Sequence, residues 1–343
     1  MLRVSAILLS LVAARCTATV PANSTSRKLA LIGDWGGQGT PPYYNPPELA
    51  TAEALARYSR DNPLSAALLL GDNFYPAGIS GDAHSLRFEA TFEAVFNGSA
   101  LEDIPFFAVL GNHDYKGNVS AEVAYTALSD RWDMPSTYYS KTLSFKGSDG
   151  ASFSAHFIAI DTVMLAGMTT GDDPTQQPPG PADAVVASSQ WDWIESQLSS
   201  STADFVFVFG HYPVISGCSH GPTLILDALL QPMLEKYGAH YLSGHDHCQE
   251  YAEYKGVSYI LSGVGHGCCY EWTNEDKNPT GSIKWHHAAD TKAESTGDAP
   301  DAGFAILDLD TDGFTVSYFN ADLDTQYVSR KVAPRAADLV AAK

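Results

Sequence analysis

The chain has 343 residues, of which 45% are hydrophobic, and it carries a formal net charge of −20 at neutral pH. This length and composition support a well-buried core, in one large domain or two ordinary ones. The excess of 40 acidic over 20 basic residues argues against a nucleic-acid backbone or an anionic membrane as the main partner. A phosphate-bearing substrate would also be repelled at long range, unless bound multivalent cations reverse the charge at a local site.

The N-terminus has the pattern of a secretory signal peptide. Arg3 precedes an apolar run from Val4 to Ala14, and small residues around Ala18 follow it. This pattern predicts a signal peptide at 1–19 and a mature protein that is secreted or lysosomal or vacuolar. A buried N-terminal strand is the alternative. The run is shorter than the ~20 residues of a membrane span, and no later stretch replaces it. Export agrees with three glycosylation sequons, at Asn23, Asn97 and Asn118.

From Lys28 onward, one pattern recurs along the chain: a short apolar run, a glycine or sharp turn, and then a side chain that can bind a metal. Five such runs are Leu29–Asp34, Ala66–Asp72, Phe106–Asn112, Phe205–His211 and Ala239–His245. Such runs predict β-strands of an α/β fold. In parallel or mixed sheets, ligands gather beyond the carboxyl ends of the strands. The five runs therefore predict one functional site built from five strand ends.

Three segments between the strands have apolar residues at helical spacing and are expected to cover the sheets. They are Pro47–Tyr58, Ser189–Leu198 and, more briefly, Ala121–Leu128. Near the C-terminus, Phe304–Leu309 and Phe314–Phe319 flank an Asp-Thr-Asp-Gly turn and predict a β-hairpin that closes a sheet edge.

The segment 169–183 is rich in proline, glycine and polar residues and has no periodicity. It predicts an exposed, mobile loop. A linker between two domains is the alternative, but strands that end in metal-binding residues continue on its far side. We therefore expect a single catalytic domain at 28–332, followed by a C-terminal tail at 333–343.

The cysteines indicate disulfides. Cys16 leaves with the predicted signal peptide, and the other four thiols enter an oxidising compartment where they can form up to two disulfides. Adjacent cysteines bridge each other poorly. We therefore expect Cys218 and Cys248 each to pair with one of Cys268 and Cys269, although the sequence does not fix which.

The residues at the strand ends form a set of hard oxygen and borderline nitrogen donors suited to iron, zinc or manganese. The proposed ligands are Asp34, Asp72, Tyr75, Asn112, His211, His245 and His247. In extended backbone, the side chains of His245 and His247 would emerge on the same side and reach different ions of a close pair. Asp72, at the centre of the set, is the natural bridging carboxylate. Tyr75 would bind as a phenolate only beside a strongly polarising trivalent ion; a packed aromatic is the alternative.

The remaining histidines of the mature chain, apart from two discussed next, are predicted to be structural, hydrogen-bonded residues. They are His84, His156, His240, His266, His286 and His287.

In the same order along the chain, these blocks resemble the motifs of the purple acid phosphatases. The matching blocks are Asp-x-Gly at Asp34, Gly-Asp-x-x-Tyr at Asp72 and Tyr75, Gly-Asn-His-Asp at Asn112, Val-x-x-His at His211, and Gly-His-x-His at His245 and His247. The stretch Gly210-His-Tyr-Pro-Val and the stretch His220-Gly-Pro-Thr look like the small, mammalian-type tartrate-resistant acid phosphatases. The resemblance implies a calcineurin-like metallophosphoesterase fold, a four-layer sandwich of two mixed β-sheets flanked by α-helices.

The resemblance also implies how the metals are held. Ferric iron would be bound by Asp34, Tyr75 and His247. A divalent ion, either iron, zinc or manganese, would be bound by Asn112, His211 and His245. Asp72 would bridge both ions, and charge transfer from the phenolate to iron would colour the protein.

The implied reaction is hydrolysis of phosphomonoesters, on small molecules or phosphoproteins. A hydroxide on or between the metals would attack phosphorus in line. His113 and His220 match positions that contact substrate and assist the leaving group, roles that an imidazole can fill near its own pKa.

One departure concerns loop 169–183. In mammalian-type members the corresponding loop represses activity until proteolysis and is tethered by a disulfide, but the matching positions here are Ala166 and Ile225. The tether is therefore absent, and an activating protease at this loop is a hypothesis.

Two other functions compete with this one. A zinc- or manganese-dependent phosphodiesterase or nucleotidase could use the same scaffold, and Tyr75 is the residue that argues against it. A non-catalytic iron-binding protein is the other, and His113 and His220 argue against it because the metals do not need them.

Overall fold

The computed structural model describes residues 27–169, 176–288 and 302–336. The predicted signal peptide, part of loop 169–183 and the end of the C-terminal tail lie outside these residues. The strands are β1 Lys28–Ile32, β2 Leu64–Leu69, β3 Phe106–Ala108, β4 Trp132–Asp133, β5 Tyr139–Lys146, β6 Ser152–Ala159, β7 Phe205–Phe209, β8 His240–Ser243, β9 Gln249–Tyr254, β10 Val257–Ser262, β11 Ile283–His287, β12 Gly303–Asp310, β13 Gly313–Asn320 and β14 Thr325–Val328. The α-helices are α1 Pro46–Asp61, α2 Val119–Tyr125, α3 Thr162–Ala166, α4 Ala184–Ser200 and α5 Leu224–Tyr237.

In the described residues the strands form two mixed sheets of seven. The first has the order β14-β13-β12-β1-β2-β3-β4, and the second has the order β11-β9-β10-β8-β7-β6-β5. In the first sheet β1, β2 and β3 run parallel to one another, and in the second β6, β7, β8 and β10 do so. Their carboxyl ends therefore meet at one edge of each sheet. Parallel strands buried on both faces read as continuous apolar runs, which is why the sequence predicted β1, β2, β3, β7 and β8. Strands β6 and β10, whose runs are interrupted by polar residues, were not predicted.

The two sheets pack face to face across a shared core. The ring of Phe314 on β13 lies 5.2 Å from that of Phe207 and 6.0 Å from that of Phe205, both on β7 of the other sheet. Helix α1 buries Ala52 and Leu55 against the first sheet. Helices α3, α4 and α5 share a second apolar cluster with the outer face of the other sheet. The predicted four-layer α/β sandwich is confirmed.

The helices differ from their predicted limits where local capping decides the ends. Helix α4 begins at Ala184 rather than Ser189 because the Asp183 side chain caps it, accepting the N–H groups of Val185 and Val186 at 2.9 and 3.1 Å. Helix α2 ends at Tyr125, before the predicted Leu128, because the chain continues there in single turns that bond three residues back. No helix among the described residues is long and apolar enough to cross a membrane.

The predicted C-terminal hairpin is present, but its place in the sheet was predicted wrongly. Strands β12 and β13 pair antiparallel, with Asp310 opposite Gly313 at the turn. Strand β14 then pairs with β13 on the outside, and β12 pairs with β1 on the inside. The hairpin therefore lies within the sheet. The sequence analysis did not predict the edge strand β14, because its four residues are partly or fully exposed and show no alternation of apolar and polar residues.

The predicted disulfide pairing was wrong. Cys218 is joined to Cys248, and Cys268 is joined to its neighbour Cys269. The Cα atoms of Cys218 and Cys248 are 6.9 Å apart, and both side chains are buried in a small cluster with Leu261. Their mutual contact in the folded chain leaves neither sulfur free for Cys268 or Cys269. This contact depends on the packing of two loops, which the spacing of cysteines cannot reveal.

Candidate metal centre

The strand ends of both sheets converge, as predicted, on one buried cluster. Asp34, Asp72 and Asn112 follow β1, β2 and β3 in the first sheet, and these residues are at most 2% exposed. His211 and His245 follow β7 and β8 in the second sheet and are likewise buried. The site therefore lies where the carboxyl ends of the parallel strands of the two sheets meet.

Three of the proposed ligands have a backbone conformation that L-residues rarely adopt. Asp34, Asp72 and His245 have φ values of 55°, 52° and 74°. A non-glycine residue held there costs about 1–3 kcal/mol and persists where the surrounding structure requires it, often at functional sites. The spacing of His245 and His247 had suggested extended backbone at His245. The φ of His245 shows that this expectation was wrong. The turn still directs the two imidazoles to different neighbours.

Two glycines before proposed ligands permit the close packing of these loops. A Cβ on Gly71, which has a φ of 91°, would lie 2.6 Å from the His211 ring. A Cβ on Gly111 would lie 2.2 Å from Oδ1 of Asp72 and 2.4 Å from its backbone nitrogen. Both positions therefore exclude any larger side chain.

One group of proposed ligands consists of Asp34, Tyr75 and His247. The Tyr75 hydroxyl lies 3.0 Å from Oδ1 of Asp34 and 3.0 Å from Nε2 of His247. Nε2 of His247 lies 3.6 Å from the same carboxylate oxygen. These are the residues that the family resemblance places around ferric iron, and the structure brings them together.

The second group consists of Asn112, His211 and His245. Nε2 of His211 lies 3.1 Å from Oδ1 of Asn112 and 3.2 Å from Nδ1 of His245. Asp72 connects the groups: its Oδ2 lies 3.4 Å from Nε2 of His211, and ligand atoms of Asp34, Asp72 and His211 all lie within 4.8 Å of one another.

The donor and acceptor chemistry of the cluster fits a cation. Nδ1 of His211 lies 2.9 Å from the Leu70 carbonyl oxygen, which can only accept, so Nδ1 carries the proton. In the neutral ring Nε2 is then a lone pair. It faces two further acceptors, the oxygens of Asn112 and Asp72. Lone pairs that converge in this way are satisfied by a metal ion, and a histidine whose other nitrogen bonds a carbonyl is a typical ligand.

The electrostatics also favour positive charge at this point. Burial lowers the pKa of His211, but the carboxylates of Asp72 and Asp34 outweigh burial and raise it to about 9. Without a metal ion Nε2 would therefore take up a proton, which a bound metal ion would replace. Burial raises the pKa of Asp72, but His211 and His113 outweigh it and hold that pKa well below its ordinary value. For Tyr75, burial and then the carboxylates of Asp34 and Asp72 raise the pKa well above 10. Only a strongly polarising cation would make this phenol a phenolate.

The two proposed catalytic histidines border the cluster. Nδ1 of His113 donates to the Pro76 carbonyl at 2.6 Å, and its backbone N–H donates to Asp72 at 2.8 Å. The His220 ring stacks on His245 at 4.1 Å, and its Nδ1 is buried without a hydrogen-bond partner among the described residues. Burial lowers the pKa of His220. Both rings are partly exposed, as a substrate contact requires.

The sequence analysis did not single out two carboxylates that hold these loops. Asp114 accepts the backbone N–H groups of Asn73, Phe74 and Gly111 at 2.8 to 3.1 Å. Asp246 accepts those of His220 and Gly221 at 2.8 and 3.2 Å. Each lies beside proposed ligands in the motifs Gly-Asn-His-Asp and Gly-His-Asp-His.

The sequence analysis also missed two aromatic side chains of the segment after β10. His266, predicted to be structural, lies against Tyr75 with ring centroids 4.3 Å apart and against His247 at 5.3 Å. Tyr270 stacks on His247 at 4.4 Å and contacts His220 at 5.3 Å. Burial lowers the pKa of His266 to about 4. A signal was present: β10 is another apolar strand followed by glycine and then histidine.

Four of the other five histidines predicted to be structural lie within strands: His156 on β6, His240 on β8, and His286 and His287 on β11. His84 is exposed, and His240 lies in the core between the sheets. His286 stacks on Trp272, which lines an open surface cavity of about 490 Å³.

The described end of loop 169–183 touches the segment after His220. The Gln177 amide donates to the Pro222 carbonyl at 3.0 Å and accepts the Leu224 N–H at 3.1 Å. Residues 170–175 lie outside the described part of the chain. The role of the loop as a protease-sensitive cover stays a prediction.

Comparison with known proteins identifies the family. Residues 27–249 match the sequence profile of the calcineurin-like phosphoesterases. Among solved structures, GAP50 of Plasmodium, described as the anchor in the inner membrane complex, superimposes with a TM-score of 0.69 over 90% of this chain and 89% of its own, at 21% identity. This likeness supports the fold.

Curated relatives narrow the family. Tartrate-resistant acid phosphatase type 5 of Rattus norvegicus is 39% identical over 92% of each chain, and that of Homo sapiens is 37% identical over 88% of this chain and 90% of its own. Purple acid phosphatase 4 of Arabidopsis thaliana is 26% identical over 72% of this chain and 71% of its own. The chain belongs to the calcineurin-like phosphoesterases and, within them, to the purple acid phosphatases. This family implies a dinuclear, iron-containing metal centre.

Proposed function

We propose that the protein is an exported acid phosphatase that hydrolyses phosphomonoesters at a pair of metal ions. The observation that carries this proposal is the convergence of two groups of ligand atoms on the shared carboxylate of Asp72, within 3.4 Å of His211 Nε2. A dinuclear site of this kind supplies Lewis-acid activation of water and of the phosphoryl group. The family relationship supports the same reaction.

The two groups of proposed ligands, here called half-sites, suit metal ions of different charge. Asp34, Tyr75 and His247 offer a carboxylate, a phenol and an imidazole, and we assign ferric iron to them because the buried phenol ionises only beside a trivalent ion. Asn112, His211 and His245 offer neutral donors, which suit a divalent ion such as iron, zinc or manganese. Asp72 is shared by both.

The protein's own groups manage the protons and the substrate. Because Nδ1 of His113 donates to Pro76 at 2.6 Å, its Nε2 is the atom free to exchange a proton or to bond a phosphoryl oxygen. His220, held through its backbone by Asp246, stacks on His245 and is placed to protonate a departing alkoxide. The substrate is a small phosphomonoester or a phosphoprotein.

Metal analysis combined with a visible spectrum and a p-nitrophenyl phosphate assay at acidic pH tests this function. We expect about two metal ions per chain with iron among them, a visible absorption band lost in Tyr75→Phe, and turnover reduced at least about 100-fold in His113→Ala, the usual scale for loss of a general acid or base. A colourless, zinc- or manganese-loaded enzyme that prefers phosphodiesters or nucleotides would instead support the rival phosphoesterase. A coloured protein with no turnover would indicate an iron-binding protein.

A further inference from the structure

His266 contacts all three residues to which we assign ferric iron, Asp34, Tyr75 and His247. Its backbone N–H donates to the Asp34 carbonyl at 2.8 Å, and its ring contacts the rings of Tyr75 and His247 at 4.3 and 5.3 Å. Its own carbonyl accepts the Asn45 amide at 3.1 Å. Because backbone contacts on both sides fix the residue, the imidazole has little freedom to turn away from the site.

One nitrogen of this ring is unpaired in the part of the chain that the structure describes. Nδ1 of His266 is buried and lacks a hydrogen-bond partner among the described residues, while the residue as a whole is partly exposed. A buried polar nitrogen left unpaired costs about 1–3 kcal/mol, so an imidazole in such a place normally bonds a ligand or ordered water.

His220, which we propose contacts the substrate, also has a buried ring nitrogen of this kind. Nδ1 of His220 is also buried without a partner among the described residues. His113, the other proposed substrate contact, lies against the Tyr75 ring at 4.6 Å, and His266 lies against the same ring at 4.3 Å. His113 and His266 therefore both border the space beside this phenol.

We propose that His266 is a third substrate-contacting imidazole, which hydrogen-bonds a phosphoryl oxygen on the side of Asp34, Tyr75 and His247. This inference rests on the proposed function, because it takes the phosphoryl group to bind at the same cluster. Ring packing against Tyr75 and His247 alone would need only an aromatic side chain. The nitrogen is the atom that packing does not explain.

Two substitutions separate the hydrogen bond from the packing. His266→Phe keeps an aromatic ring against Tyr75 and His247 but removes both nitrogens. His266→Asn gives up the ring and keeps a short polar side chain. The exposed His84, which lies outside the cluster, supplies the control His84→Asn. All variants are compared as metal-loaded, full-length protein with inorganic phosphate as the probe, its dissociation constant measured by calorimetry.

We expect His266→Phe to weaken phosphate binding about tenfold, the usual scale for one hydrogen bond to a charged group. His266→Asn should weaken it less, and His84→Asn should not change it. Metal content and the visible absorption maximum should stay as in the wild type for every variant.

Either of two results would overturn the proposal. In one, His266→Phe binds phosphate as the wild type does, which would leave packing as the whole role of the residue. In the other, both variants lose metal or shift the absorption band, which would make His266 a positioning residue for Tyr75 and His247. A wild type that binds phosphate but has no turnover would refute the phosphatase assignment and leave the His266 contact standing.

Discussion

At the scale of single residues, the backbone of one loop of the site packs closely against a proposed ligand of another loop. Gly111 and Asp72 belong to loops after neighbouring strands, and the space for a Cβ on Gly111 is already taken by the Asp72 carboxylate and backbone. Asp72 is the residue that we propose both half-sites share. A change at Gly111 that displaces Asp72 by a few tenths of an ångström should therefore affect both ions at once.

We expect Gly111→Ala to lower the metal content to less than half of the wild-type value, because the new methyl group would lie 2.2 Å from Oδ1 of Asp72. Plasma emission spectrometry of the purified protein measures this directly. The control is Gly81→Ala, where a φ of 94° is unfavourable for alanine but no atom lies within 4 Å of the new methyl group. Equal metal loss in both variants would show that collision with Asp72 is not responsible.

Sequence motifs indicated the proposed ligands because they follow apolar strands, whereas His266 was predicted to be structural. A lone histidine after glycine is more often structural, and only the parallel pairing of β10 with β8 brings its loop to the same edge as His245 and His247. The two carboxylates Asp114 and Asp246 were missed because backbone N–H groups, their partners, leave no mark in the sequence.

At the scale of secondary-structure elements, α1 is connected to the site through its N-terminal cap. The Asn45 side chain accepts the Glu48 N–H at 2.9 Å, and the Glu48 side chain accepts the Asn45 N–H at 3.2 Å, which forms a capping box. The Asn45 amide also donates to the His266 carbonyl at 3.1 Å. One side chain thus begins the helix and holds the segment after β10.

Substitution of Asn45 should separate these two roles. Asn45→Asp keeps the oxygen that caps α1 and removes the amide that bonds His266, whereas Asn45→Ala removes both. We expect Asn45→Ala to lower the free energy of unfolding by about 1–2 kcal/mol, the range for loss of a cap, and Asn45→Asp to lower it by less than half as much. Urea denaturation followed by circular dichroism measures both. A larger loss in Asn45→Asp would mean that the bond to His266, and not the cap, dominates.

Across the whole molecule, the two sheets meet at a buried histidine. His240 on β8 packs against Phe314 of the opposite sheet with ring centroids 4.8 Å apart, and its Nδ1 accepts the Ser258 N–H at 3.0 Å. Burial, and then Arg330 and Arg335, lower the pKa of this imidazole from 6.5 to about 3. The folded protein therefore holds His240 neutral at the pH of acid phosphatase activity.

This buried imidazole predicts that stability declines in acid. Between pH 6.5 and 3 the unfolded chain protonates His240 and the folded chain does not, so stability falls as the pH falls, by up to about 1.4 kcal/mol per pH unit from this group. We expect His240→Asn, whose amide oxygen can accept the Ser258 N–H without titrating, to flatten the dependence of the unfolding free energy on pH between 6 and 4. The variant should be less stable at neutral pH because the smaller side chain leaves a cavity.

Denaturation at a series of pH values gives this slope, and the exposed His84→Asn is the control. An unchanged slope in His240→Asn would mean that other groups cause the acid sensitivity of the fold. The sign is specific, because a histidine with a raised pKa would make the protein more stable in acid.

The sequence by itself determined the α/β class and five of the parallel strands, and it indicated the seven proposed ligands. Each of these depends on short stretches of sequence, in which an apolar run that is buried on both faces is followed by glycine and a side chain that can bind a metal. Local stretches also place the turn of the hairpin between Asp310 and Gly313.

Tertiary structure decided what depends on contacts between distant segments. It paired Cys218 with Cys248, placed β14 outside the hairpin, and brought both His266 and Tyr270 into contact with His247. The physical reason is that each of these contacts joins loops from different strands, and their distance is set by sheet pairing and core packing. Neither sheet pairing nor core packing can be predicted from the spacing of these residues in the sequence.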